Sequence, residues 1–187
     1  MAMRASRYYT AEMVRQLWDP ARHWPRYETV HGELLVTPAP RMWHQELVKR
    51  LLFALHTYLL GERAVGCVFT SPSDISWGLE DTLVQPDVFV VSLEEARTLE
   101  WARVRTLLLA VEVLSPSSRR ADLLVKRRLY QEQGTPLYWI VDGDARSVEV
   151  WTADAHRSHC EREVLVWQPA GAAQPFTLPL AELFAPM

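Results

Sequence analysis

The sequence predicts a mixed α/β fold of the α+β kind, a sheet with helices packed against it. Two runs, "LLLAVEVL" (107–114) and "PLYWIVDG" (136–143), are apolar throughout and contain no turn residue until their ends, as suits strands buried on both faces. Between them "RRADLLVKRRLYQEQG" (119–134) has the spacing of a charged amphipathic helix closed by Gly134. Shorter strand-like pieces precede and follow, so helices and strands are interleaved. The 187 residues suffice for one domain with a real core, expected to span 1–187, and two would be crowded.

The elements follow in order. "YTAEMVRQLWD" reads as a short helix with Thr10 as its N-cap. "RYETVHGELLVTPAP" is two extended pieces about His31-Gly32, a hairpin with glycine where positive φ is needed, ended by Pro38 and Pro40. "MWHQELVKRLLFALHTYLLG" places Leu47, Leu51, Leu52, Leu55, Tyr58 and Leu59 on one helical stripe, closed by Gly61. "VGCVFT", "SDISWG" and "LVQPDVFVV" are strand-like, and an acidic helix starts at Ser92. After the two long apolar strands and their intervening helix, "SVEVWTA" and "REVLVWQ" continue as strands. No repeat, linker or low-complexity segment interrupts the chain.

Composition narrows the function classes. Hydrophobic residues make up 49% and charged residues 23%, ordinary for a globular protein. No window reaches the roughly 18 apolar residues of a membrane span. The start "MAMRASRYYTAEM" has no apolar signal core, so a cytoplasmic location is expected. Cys67 and Cys160 are isolated, which fits a reducing compartment and indicates neither a disulfide framework nor a thiolate zinc site. A net charge of -3 does not advertise nucleic-acid binding, although carboxylates gathered in an active site also lower net charge.

Glu112 is the anomaly. It is a lone carboxylate inside the most apolar run, where an ionised group costs several kcal/mol unless paired or metal-bound. Alternation puts Leu108, Ala110, Glu112 and Leu114 on one face, with the small Ala110 leaving room beside the acid. Asp87, after Pro86 at the start of "DVFVV", converges on Glu112 if the two strands are neighbours. Two adjacent carboxylates share a proton or hold a hard divalent cation, here Mg²⁺ or Mn²⁺. On the next helix Asp122, Lys126 and Tyr130 fall at i, i+4 and i+8 along one stripe. Arg119, Arg120, Arg127 and Arg128 surround them, a basic cluster suited to phosphate.

Taken together, "QPDVFVV", "LAVEVLSPSS", "D...K...Y" and "GTPLYWIVD", with the opening "YETVHGELLVTPAP...H", resemble the Uma-type family of restriction-endonuclease-like proteins in the PD-(D/E)XK nuclease superfamily. The resemblance covers most of the chain. It implies a restriction-endonuclease-like mixed sheet flanked by helices, with Asp87 and Glu112 as metal-binding acids. It also implies an earlier acid, assigned to Glu33 with Glu28 as the substitute. Leu114 stands where the superfamily pattern has lysine, so Lys126 is the candidate to bring an ammonium to that place. The expected activity is metal-dependent hydrolysis of DNA phosphodiester bonds. Asp87, Glu112 and the Val113 carbonyl would hold Mg²⁺, with Lys126 and Glu33 completing the catalytic set. Tyr130 is expected to orient Lys126, and His44, Arg119, Arg120 and Tyr130 are the candidate substrate contacts. A homodimer would suit cleavage of two strands.

Plainer readings stand beside these. Glu112 could be a structural acid paired with arginine, Asp87 a strand-start turn residue, and Lys126 an exposed partner of Asp122. The arginines could form a solvated helix face, and His44 could be a partly buried structural histidine. "HRSHCE" (156–161) brings His156, His159 and Cys160 together in an expected loop but lacks a second ligand pair for zinc. Two rival functions remain: a non-catalytic DNA-binding or assembly protein on a nuclease fold, and a metal-free carboxylate-pair hydrolase such as a glycosidase.

Overall fold

A computed structural model of the chain describes residues 8–19, 21, 24–63 and 65–187. Helix α1 (Ala11–Gln16) is capped by Thr10, whose hydroxyl accepts from the Met13 N–H. Strands β1 (Arg26–Val30) and β2 (Glu33–Thr37) form the expected hairpin. Its two-residue turn holds His31 at φ 49° and Gly32 at φ 80°, both positive as a type I′ connection requires. Helix α2 (Met42–Gly61) buries Leu47, Val48, Leu51, Leu55 and Leu59. Gly61 is its last helical residue rather than a left-handed cap.

Then come β3 (Gly66–Thr70), β4 (Val88–Ser92) and the short α3 (Leu93–Ala96), capped by Ser92. A 3₁₀ turn (Trp101–Arg103) leads into β5 (Leu107–Val113). A π-helical segment (Ala121–Lys126) runs directly into α4 (Arg127–Glu132). The chain ends with β6 (Leu137–Asp142), β7 (Ser147–Thr152), β8 (His159–Glu161), β9 (Val164–Trp167), β10 (Phe176–Pro179) and α5 (Leu180–Leu183).

The fold is a mixed six-stranded sheet, ordered β3-β4-β5-β6-β7-β8, flanked by helices. Only the β5–β6 pair is parallel, because the π segment and α4 cross over between them. The two long apolar strands are therefore central, as their composition predicts. On one face Leu109, Val111 and Val113 pack with α2 and with the Trp167, Phe176 and Leu183 layer from β9, β10 and α5. On the other, Phe89, Ala110, Tyr138 and Ile140 pack with Leu129 and Tyr130 of α4 and with Val30 of the hairpin. Among the described residues, no helix is long and apolar enough to cross a membrane.

Four details differ from the sequence reading. "SDISWG" is not a strand: Ile75 makes only an isolated bridge to Val84. Leu108 does not share the face of Glu112. A bulge opposite Val90 and Val91 turns it toward the α2 side, while Ala110 and Leu114 remain on the acid's side. His159 and Cys160 of "HRSHCE" lie in edge strand β8, with His159 beside Glu161 at 3.0 Å. The short β10 and α5 carry too little periodicity to be read from sequence.

Backbone proximity generates a paired prediction. A Cβ at Gly66 would fall 2.1 Å from the Val91 carbonyl oxygen, whereas one at Gly61 meets nothing within 4 Å. Gly66→Ala should cost about 2–3 kcal/mol in a denaturant melt. Gly61→Ala should be neutral or stabilising by up to about 1 kcal/mol, since alanine loses less chain entropy in a helix.

Candidate active site

The site grows out of strand register. Val88 pairs with Val111 and Phe89 with Ala110, so one further antiparallel step sets Asp87 against Glu112. Both carboxylates therefore leave the sheet on the face of Phe89 and Ala110. The Val113 N–H donates to Asp87 Oδ2 at 2.9 Å, which ties the acid to the end of β5. His44 Nε2, from the first turn of α2, lies 3.1 Å from the same oxygen. Arg26 of β1 reaches Asp87 Oδ1 at 3.4 Å.

Glu112 faces inward. Its Oε1 accepts from Lys126 Nζ and from the Tyr130 hydroxyl, each at 3.0 Å. Lys126 is only 1% exposed, and its Nζ also lies 2.9 Å from Glu28 Oε1 and 3.6 Å from Asp122 Oδ1. The π segment makes this convergence feasible. On a regular α-helix, four-residue steps overshoot a full turn and drift around the axis. The wider π turn counters that drift, so Asp122, Lys126 and Tyr130 all point into the interior.

The electrostatics are unbalanced. Glu28, Asp87, Glu112 and Asp122 are all buried, and among the described residues only Arg26 and Lys126 are permanent cations paired with them. Four negative charges against two positive leave a formal surplus of two. His44 offsets one of these only when protonated. Burial raises the Glu112 carboxyl well above the usual range, with Lys126 opposing and the other acids reinforcing. Asp122 is pushed up to about 6 by burial, against the pull of Lys126. Asp87 goes the other way: burial raises it, but the His44 contact, Arg26 and the Val113 N–H together hold it well below the carboxylate range. Burial would lower Lys126, yet Glu112, Glu28 and Asp122 keep it firmly protonated. Two carboxylate oxygens, Glu28 Oε2 and Asp122 Oδ1, are buried without a hydrogen-bond partner.

A cleft of about 640 Å³ opens over this cluster. Asp87, Arg26 and His44 form part of its wall, joined by Ser115 and Ser118 from the loop after β5. Asp87 is therefore the acid nearest solvent, and Glu112 and Lys126 stand behind it.

A sequence profile of the Uma2 family, described as "Putative restriction endonuclease", matches residues 11–181. The chain belongs to the Uma2 family. No curated protein matches it. Among solved structures it is similar to one titled a "putative nuclease belonging to DUF820" from Anabaena variabilis. That similarity has a TM-score of 0.76 at 18% identity and covers 95% of this chain and 98% of the other. At that identity the likeness is one of fold, and the shared fold is the restriction-endonuclease-like sheet.

Within this Uma2-family chain the candidate residues sort by position. Asp87, Glu112 and Lys126 meet in the cluster, with Val113 contributing its N–H to Asp87. Glu33 does not join them: it is exposed at the start of β2, five residues along the hairpin from Glu28, which is fully buried against Lys126. Position along the hairpin decides this: Val30 pairs with Glu33, so both acids share a face, but Glu33 sits at the turn end and Glu28 sits deeper, against Lys126. Tyr130 is fully buried; it holds Glu112 and does not bond Lys126. Arg119 pairs with Asp142 at 2.9 Å, Arg120 is exposed, and neither lines the cleft. Arg127 and Arg128 bond residues of their own helix, and Arg127 also stacks on Trp151. Arg26 was missed by sequence reasoning. Its one signal was a cation two residues before Glu28, and hence on the same face.

The surplus charge predicts an inverted pH dependence in chelator. With its carboxyl raised to about 6, Asp122 keeps a proton in the folded state that the unfolded chain releases near pH 4. The folded state then binds more protons, so Asp122 alone should lower stability by roughly 2–3 kcal/mol as pH rises from 4 to 7, and Glu112 acts in the same direction. Asp87 acts oppositely, but its stabilisation is lost only as pH drops below about 4. Asp122→Asn should make the decline shallower, leaving the share of Glu112. Lys126→Met, which strands three acids, should cost about 3–5 kcal/mol at pH 7 and less at pH 5. Urea melts across this range check both, and stability rising from pH 4 to 7 in wild type would refute the account.

Proposed function

We propose that the protein is a metal-dependent endonuclease that hydrolyses DNA phosphodiester bonds. The observation that carries this reading is a buried cluster of four carboxyls, Glu28, Asp87, Glu112 and Asp122, reached from a cleft through Asp87. Membership of a family described as "Putative restriction endonuclease" supports it.

The donor set fits a hard divalent cation such as Mg²⁺ or Mn²⁺. Carboxylate oxygens are its preferred ligands, and two of them in the cluster, Glu28 Oε2 and Asp122 Oδ1, accept no hydrogen bond. Asp87, Glu112 and the Val113 carbonyl would hold the ion. Among the described residues, no three acid, histidine or cysteine side chains stand ready in ligand geometry, because Lys126 and Arg26 occupy the carboxylates. Those ion pairs must therefore open when the ion enters. A bound ion would lower the pKa of a water and offset charge on the scissile phosphate.

The chain's own groups have separable tasks. Arg26, in the cleft wall, offers its guanidinium to a phosphate oxygen once Asp87 releases it. Lys126 Nζ orients the attacking water and balances the negative charge that develops on phosphorus oxygens. Tyr130 donates to Glu112 from the dry side and fixes that carboxylate's rotamer. Glu28 and Asp122 anchor Lys126 and keep it charged.

A second reading, a non-catalytic module on a nuclease fold, draws on the same salt bridges, since Lys126 is already matched to carboxylates. Metal linkage separates the two. With Mg²⁺ at a hundredfold excess over its dissociation constant, wild type should gain about 2.7 kcal/mol in a urea melt. Glu112→Gln should lose that gain and all Mg²⁺-dependent plasmid cleavage, while staying within about 1 kcal/mol of wild type in chelator. No cleavage and no Mg²⁺ stabilisation in wild type would overturn the nuclease reading.

A further inference from the structure

The cleft that reaches Asp87 has an unusual wall for a protein that handles a duplex. Three tryptophans line it: Trp18 just after α1, Trp24 just before β1, and Trp101 in the 3₁₀ turn. Trp18 is 64% exposed, and Trp24 and Trp101 are each 37% exposed. Trp101 is braced edge-on against Phe69 at 5.0 Å and Phe89 at 5.8 Å. Among the described residues, neither Trp18 nor Trp24 stacks on another ring. Large aromatic faces left in water beside a polar site are the feature to explain.

The cations are scarce by comparison. Among the described residues, Arg15 and Arg26 are the only lysines or arginines in the cleft wall. Each is already committed, Arg15 to Asp74 at 3.3 Å and Arg26 to Asp87 at 3.4 Å. Duplex binding draws most of its affinity from phosphate neutralisation, and the described residues of this wall offer two cations for it. Stacking on aromatic rings serves unpaired bases instead, at roughly five- to hundredfold in affinity per base. The cleft's 640 Å³ lies in the roughly 300–1,000 Å³ class of small-ligand sites, scaled to single bases rather than to a duplex.

We infer that the cleft takes unpaired DNA nucleotides, whose bases stack on Trp18 and Trp24 while the backbone passes Asp87. This rests on the nuclease reading and gives it a substrate class: single strands, flaps or locally opened DNA, in preference to intact duplex. Bases stacked on the rim would deliver a phosphate to Arg26 without a broad basic surface, which accords with the net charge of -3.

The test is binding in chelator, where cleavage is off. Fluorescence anisotropy would follow a labelled oligonucleotide as a single strand and as its duplex. The strand should bind at least about tenfold tighter. Trp18→Ala and Trp24→Ala should each weaken strand binding about fivefold or more, with the circular dichroism spectrum unchanged. Equal or tighter duplex binding would overturn the inference. So would strand affinity within about twofold of wild type in both variants. Cleavage is assayed separately in Mg²⁺, so the two failures are distinguishable. A protein that cuts duplex DNA yet fails the binding test loses the strand preference alone. One that binds strands through Trp18 and cuts nothing loses the nuclease reading.

Discussion

A fully buried lysine organises this protein. Lys126 Nζ stands within 3.6 Å of carboxylates from β1, β5 and its own helix. Its desolvation is tolerable only because three acids surround it, and theirs only because it is there. The hairpin, the central strand and the crossover helix are thus tied at one point by charge, while apolar packing surrounds them. The requirement is geometric as well as electrostatic. A regular helix would carry Asp122, Lys126 and Tyr130 around its axis, and the π segment keeps them aimed together.

The same arrangement divides the acids by depth. Asp87, at the start of β4, meets the cleft and is surrounded by donors, so it stays ionised. Glu112 and Asp122 lie deeper and hold their protons more tightly. Environment alone produces this separation from chemically similar groups. Stability and function pull in opposite directions here, because burying four carboxyls together weakens the fold while providing a seat for a cation. The salt bridges of Arg26 and Lys126 moderate that conflict, and both must rearrange for the cluster to accept an ion.

The surface follows a similar logic. The arginines that looked like a phosphate patch are mostly matched within the protein, by Asp142, by Glu132 and by the face of Trp151. The free resource at the mouth of the site is aromatic. A basic cluster read along one helix is therefore a poor guide to where substrate lies, since neighbouring elements decide which charges remain unspent.

The sequence by itself determined the sheet's centre, the hairpin and the main helices, because buried strands and amphipathic helices leave periodic apolar patterns. It also showed that Glu112 needs partners, because a carboxylate inside "LLLAVEV" demands them wherever it sits, and the family resemblance pointed to Asp87 and Lys126. The tertiary structure decided the rest. Only the packing of the hairpin could choose Glu28 over Glu33, since the two acids share one face and differ only in how far they stand from the exposed turn. Only packing could bury Tyr130 behind Glu112, and only the bulge in β5 could turn Leu108 away from it. Arg26 and the tryptophans at the cleft became visible last. They come from segments far apart in the chain, and no local pattern records which of those segments will meet.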